Sequence, residues 1–145
     1  MPITPNFTSI YSQEWEISFI QCYPNGQLKY TELCNLLQLT AGFHAEMGGL
    51  SFSDMQVFHQ AWVLSRMRVE VKELPKWRDI VTVKTWIVEM QGSKSIRALE
   101  WYVSDKKLGG SLTFWVVLNT TLRKPEKLAL PFEHFQLFPN QLATE

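Results

Sequence analysis

The sequence predicts an α+β fold in which one long helix lies against, and is wrapped by, a strongly curved antiparallel sheet. Three observations carry this. Residues 29–46 alone have helical periodicity. Residues 57–122 then read almost entirely as strand, interrupted by short turns that favour antiparallel neighbours. That strand region also holds Trp62, Trp77, Trp86, Trp101 and Trp115. Large flat side chains around a helix either fill a core or line a slot for an apolar chain.

A first strand is expected over 8–23, with Ile17 and Phe19 alternating against Ser18 and Ile20. Tyr23-Pro24-Asn25-Gly26 is a turn, because proline fixes φ and Asn-Gly tolerates positive φ. In the helix, Leu33, Leu36, Leu37, Ala41 and His44 share one stripe at spacings of three and four. Gly48-Gly49 stops it, and residues 50–56 form a loop. Four strands follow at 57–72, 80–90, 97–105 and 111–122. Their reversals fall at 73–79, 91–94 and 106–110, and a short last strand is expected over 132–138. The chain reads as a single domain over residues 1–145, without repeats or a linker.

Composition excludes several classes. Fourteen basic residues balance fourteen acidic ones, so no net field draws in nucleic acid or an anionic membrane. The opening MPITPNFTS has neither the basic nor the apolar region of a signal peptide, and no run approaches the ~20 apolar residues of a membrane span. Cys22 and Cys34 make neither a disulfide framework nor a metal-ligand spacing, which suits a reducing, cytoplasmic setting.

Six segments, in order, carry a family resemblance. Leu37-Gln38-Leu39-Thr40-Ala41-Gly42-Phe43-His44 resembles the Leu-Gln-x-Thr-Ala-x-x-His helix segment of plant and bacterial acyl-acyl-carrier-protein thioesterases. Trp62-Val63-Leu64-Ser65-Arg66-Met67 is similar to their next strand, and Pro75-Lys76-Trp77-Arg78-Asp79 to their Pro-x-Trp-x-Asp turn. Thr85-Trp86, Trp101 with Asp105, and Trp115-Val116 followed by Asn119 complete the series, which covers roughly residues 9–130. The resemblance implies a hotdog fold. Those enzymes typically carry two hotdog halves in one chain, and this sequence is similar to the first, which mainly shapes the acyl pocket. In the family, catalysis is assigned to the second half, around an Asp-x-Asn-x-His motif and a downstream Glu. Here the corresponding turn reads Tyr23-Pro24-Asn25-Gly26-Gln27, which lacks that acid and histidine.

Asn25, Gln38 and His44 are the candidate catalytic residues. Gln38 falls where hotdog enzymes place an acid. An amide cannot act as a base, but it can orient a water or the thioester carbonyl; otherwise Gln38 bonds to the sheet in the core. His44 has the unperturbed pKa of a general base, yet a lone histidine on an apolar stripe is also an ordinary core residue. The N–H groups of residues 26–28, at the helix start, are candidates for an oxyanion site, the alternative being an ordinary turn. Gly26, Leu37, Ala41, Phe58 and Trp62 are the candidate substrate-binding residues. Cys34 has no base nearby in the sequence and is read as packing. Glu46 and Asp54 flank the diglycine as loop acids. Arg66, Arg68, Lys72, Lys76 and Arg78 are either a docking patch for an acidic carrier protein or a solvated strand face.

Hydrolysis of fatty acyl thioesters, on acyl carrier protein or coenzyme A, is the activity the resemblance implies, with a place in fatty acid biosynthesis. The alternative is a non-catalytic acyl-thioester binding module. No cofactor or metal is implied. An open sheet edge and the two-half plan of the family point to a homodimer or higher homo-oligomer.

Overall fold

A computed structural model describes residues 3–144. The elements run β1 (Tyr11–Glu16), α1 (Tyr30–Met47), α2 (Phe52–Gln56), β2 (Gln60–Val71), β3 (Ile80–Gln91), β4 (Lys94–Val103), β5 (Lys106–Asn119) and β6 (Lys124–Pro125). The main sheet is antiparallel in the order β1-β3-β4-β5-β2, with β6 paired to the end of β5. It curls around α1, as a hotdog sheet does. Bulges between Leu64 and Arg66 on β2 and between Ile87 and Glu89 on β3 shift the register. Such bulges bend a strand and add twist, which lets the sheet close over a helix.

The expected stripe on α1 is the buried one: Leu33, Leu36, Leu37, Thr40, Ala41 and His44 face the sheet. Thr40 is tolerated there because its hydroxyl donates to the Leu36 carbonyl (2.8 Å) and accepts from Trp15 Nε1 (3.0 Å). The helix stops where Gly49 enters the left-handed region (φ 78°), and Leu50 N–H closes back on the Ala45 carbonyl at 2.8 Å.

Several element boundaries depart from expectation, each for a local reason. The first strand ends at Glu16, because Ser18 and Gln21 bond to each other and wind 19–21 into a single 3-10 turn. Phe19 and Ile20 are therefore exposed rather than strand-paired. The expected loop 50–56 contains α2, started by a capping box in which Ser51 and Asp54 bond reciprocally. The expected turn at 106–110 is strand, and the reversal is the tighter Ser104-Asp105, with Ser104 at φ 55°. Residues 132–138 form no strand. They run as irregular chain, with one bridge from Leu137 to Ile87 and a hydrogen bond from the Phe138 N–H to the Ile87 carbonyl.

The core has two main parts. One joins the first half of α1 to β3, β4 and β5 through Leu33, Leu36, Leu37, Val81, Val83, Leu99, Trp101 and Leu108. The other lies beyond the second half of α1 and gathers Leu50, Met55, Ile87, Met90, Val117 and Phe135. Trp101 lies over Gly109, its register partner on β5, where a Cβ would overlap both the indole and the Glu70 carbonyl.

This contact generates a test. Gly109→Ala should destabilise the fold by about 2–3 kcal/mol, as overpacking does. Gly26→Ala meets no neighbour and strains only its φ of 85°, so it should cost about 1 kcal/mol. Urea unfolding of the two variants checks the order; equal losses would refute the Trp101–Gly109 packing.

Candidate active site

A pocket of about 240 Å³ opens between the second half of α1 and the sheet. Gln38, Ala41, Gly42 and Ala45 form its helix wall, a row at spacings of three and four. Leu50, Phe52 and Met55, from the Leu50 turn and α2, close one side, while Trp62, Ile87, Met90 and Trp115 line the sheet side. The wall is mostly apolar. Exposed Gln38, Gly42 and Phe52 mark its mouth; buried Ile87, Met90, Ser95 and Arg97 make its floor.

The predicted site residues part company here. Ala41 and Trp62 line the pocket as expected, and Gln38 stands at the mouth rather than in the core. The Gln38 amide makes no hydrogen bond among the described residues, so it is free to meet a ligand. Leu37 is fully buried in the other half of the core, and Phe58 is exposed outside the pocket. Asn25 and Gly26 stay in the turn that precedes α1. Asn25 Oδ1 accepts from Gln27 N–H at 3.0 Å, and its Nδ2 donates to Gln27 Oε1 at 3.2 Å. The N–H groups expected to hold an oxyanion are already taken: Gly26 donates to Tyr23 O, Gln27 to Asn25 Oδ1, and Leu28 to Pro75 O.

His44 is a buried, neutral imidazole. Its Nε2 lies 2.8 Å from the Thr8 carbonyl, which can only accept, so Nε2 carries the proton. Nδ1 then accepts from Arg97 Nη1 at 2.8 Å. Phe7 and Tyr11 stack on its two faces at 5.5 and 5.7 Å between centroids. Burial, with the Arg97 charge second, pulls its pKa down to about 3, against the opposing Thr8 bond. As placed, His44 has no lone pair to offer a water, so a general-base role does not go to it. Burial likewise raises the Cys34 thiol pKa, which disfavours a thiolate nucleophile. Asp54 is occupied in the Ser51 capping box, and Glu46 is exposed at the helix end. The basic strand residues are exposed, with Arg68 paired to Glu70, Arg66 over the Phe114 ring and Arg78 over Trp77.

Sequence reasoning missed Ser95 and Arg97. Both lie on the inward face of β4 with Leu99 and Trp101, two residues apart in each case. Counting back by twos from Trp101 finds them. Arg97 is 6% exposed and anchored by Nη1 alone, to His44 Nδ1 and to Thr85 Oγ1 at 3.0 Å. Burial lowers its pKa to about 10, which still leaves it charged at neutral pH.

The lowered His44 pKa has a consequence for stability. An unfolded histidine takes up a proton below its ordinary 6.5, whereas the folded one resists until about 3. Folding stability should therefore fall between those two values as pH drops, by up to about 1.4 kcal/mol per pH unit from this residue. Nitrogen-15 NMR of the imidazole should show the Nε2-protonated neutral form persisting below pH 5. Titration of His44 near 6.5 would contradict the buried Arg97–His44 bond.

Residues 8–132 match the acyl-ACP thioesterase N-terminal domain family. A palmitoyl-acyl carrier protein thioesterase of Gossypium hirsutum is 31% identical over 129 residues, which is 82% of this chain and 31% of that protein. An oleoyl-acyl carrier protein thioesterase of Coriandrum sativum is 29% identical over 123 residues, 76% of this chain and 33% of the relative. The chain thus spans about a third of the length of these relatives. Among solved structures, an acyl-ACP thioesterase of Bacteroides thetaiotaomicron superposes with a TM-score of 0.78 at 28% identity, over 81% of this chain and 49% of that one. The 12:0-ACP thioesterase of Umbellularia californica superposes at 0.74 and 20% identity, over 86% and 50%, and shows the fold alone. The chain belongs to the acyl-ACP thioesterase family, as a counterpart of its N-terminal hotdog domain.

Proposed function

We propose that this chain binds the acyl part of a fatty acyl thioester, carried on acyl carrier protein or coenzyme A, and takes part in its hydrolysis. One observation carries the reading: an apolar pocket beside α1 with an unpaired amide, Gln38, at its mouth. An acyl chain entering past Gly42 leaves its carbonyl near Gln38. The amide can hold that carbonyl or orient the attacking water. Water oxygen then bonds to the carbonyl carbon, the carbon–sulfur bond breaks, and the water proton passes through a base to the leaving thiolate. Among the described residues, the pocket lining contains no carboxylate, imidazole or thiol to act as that base.

A second unit supplies it in this proposal. β2 is a twelve-residue strand whose outer edge has no partner among the described residues. Such an edge invites pairing. Leu39, Phe43, Phe52 and Phe58 are also exposed on and after α1. A homodimer, or a larger assembly of such dimers, covers these surfaces and sets two pockets on one interface. Free Cys22 and Cys34 are consistent with a reducing, cytoplasmic setting. No helix among the described residues is long and apolar enough to cross a membrane. A second reading, a non-catalytic acyl-thioester binding module, draws on the lack of a base in the lining.

Turnover assays with carrier-protein and coenzyme A thioesters of several lengths separate the two readings. Hydrolysis supports the first; binding without turnover moves the assignment to the second. Gly42→Leu is the sharpest variant. A side chain at Gly42 meets nothing within 4 Å, and replacing a helix glycine removes about 1 kcal/mol of helix penalty. The variant should keep its melting temperature and lose about tenfold or more in acyl affinity by filling the mouth. Gln38→Ala should leave the fold intact and lower kcat by roughly ten- to a thousandfold. Light scattering should show a dimer or larger; a stable monomer at micromolar concentration that still turns over would refute the two-unit site.

A further inference from the structure

We propose that Ser95 and Arg97 form an anion-binding floor in the acyl pocket, selecting acyl groups whose far end carries a carboxylate. This rests on the reading that the pocket holds the acyl part of a thioester. The first argument is charge. An isolated cation out of water costs several kcal/mol, so buried arginines ordinarily meet a carboxylate. Arg97 meets none among the described residues, and no lining residue is acidic. Its two protein partners, the neutral His44 imidazole and the Thr85 hydroxyl, fix the guanidinium without neutralising it.

The second argument is unused hydrogen-bonding capacity. Guanidinium presents five N–H donors in a planar fork suited to bidentate carboxylate binding. Only Nη1 is engaged by protein; Nε and Nη2 donate to nothing among the described residues. Ser95, two residues along the same face, is 5% exposed, lines the pocket and has no hydrogen-bond partner among them either. The unbonded atoms of Ser95 and Arg97 are not among the sealed, partnerless atoms of the interior; they face open pocket space, where a polar ligand group can meet them.

The third argument is reach. At ~30 Å³ for a water-sized group, the pocket holds about eight non-hydrogen atoms. A short acyl chain entering at Gln38 therefore brings its far end to the floor. A methyl terminus there would strip Arg97 of water and return nothing, whereas a carboxylate would make a charge-assisted pair in an apolar surround.

The test compares non-hydrolysable thioether analogues of hexanoyl and hexanedioyl groups, each on coenzyme A and on an acyl carrier protein, by titration calorimetry. The wild type should bind the carboxylate-ended analogue about tenfold or more tightly. Arg97→Met should reverse that preference, and Ser95→Ala, which leaves the guanidinium and its anchors in place, should reduce it severalfold. Should Arg97→Met fail to fold, the wild-type and Ser95→Ala comparisons decide alone. Equal or tighter binding of the hexanoyl analogue by the wild type overturns the anion floor and leaves the acyl pocket standing. Binding of neither analogue on either carrier overturns both.

Discussion

The uneven seating of α1 on the sheet is the constraint on which the rest of the structure depends. Its first half presents Leu33, Leu36 and Leu37, which pack down to Val81, Val83, Leu99 and Trp101. Its second half presents Ala41, Gly42 and Ala45 across from Trp62, Ile87 and Trp115. Small residues on that face leave space that the indoles do not fill, and this space is the pocket, while His44 on the neighbouring face still ties the same half of the helix to Arg97 of β4. The same continuous helix does both tasks, so the apolar stripe that stabilises the fold also fixes the geometry of the pocket wall.

The buried polar residues follow from that arrangement. Behind the pocket, His44 is clamped between Phe7 and Tyr11 and bonded at both nitrogens. It acts as a neutral support for Arg97 rather than as an acid or base. A neutral acceptor positions the guanidinium yet leaves its charge uncompensated. The mouth has the opposite character: Gln38 is exposed, uncharged and unengaged. Polar groups thus stand at the exposed mouth and on the buried lining of an apolar slot, and the proposed preference for a carboxylate-ended acyl group rests on that distribution.

Much of the fold was legible in the sequence because periodicity reports burial directly. The helix and its stripe, the long strands and the glycine stop all stand where the pattern puts them. Two indoles of the predicted set, Trp62 and Trp115, line the pocket while Trp86 and Trp101 are core. What failed were features set by contacts between distant segments. Gly109 and Gly110 read as a turn, yet Gly109 is glycine to admit Trp101 and Gly110 to admit the Ala143 backbone. Residues 132–138 read as a short strand, but they make one bridge to Ile87 and pack Phe135 against Gly48 instead. In the site, His44 was read from its own chemistry, whereas Arg97, fifty-three residues away, takes its lone pair. The turn of Asn25 and Gly26 was read as open, whereas Pro75 and Trp77 bond to it from another loop. The Ser51–Asp54 capping box was a local signal for α2, and with it for the Phe52 and Met55 wall.

The central claim is that the gap under the second half of α1 receives an acyl chain. A crystal structure of the protein with a non-hydrolysable 2-oxoalkyl thioether analogue bound, which keeps a carbonyl but not the scissile bond, tests it most directly. The account predicts continuous density for the chain between Ala41 and Gly42 on one side and Trp62 and Trp115 on the other, with the carbonyl beside Gln38. An analogue seated elsewhere, with this gap collapsed and α1 packed flush on the sheet, would contradict it.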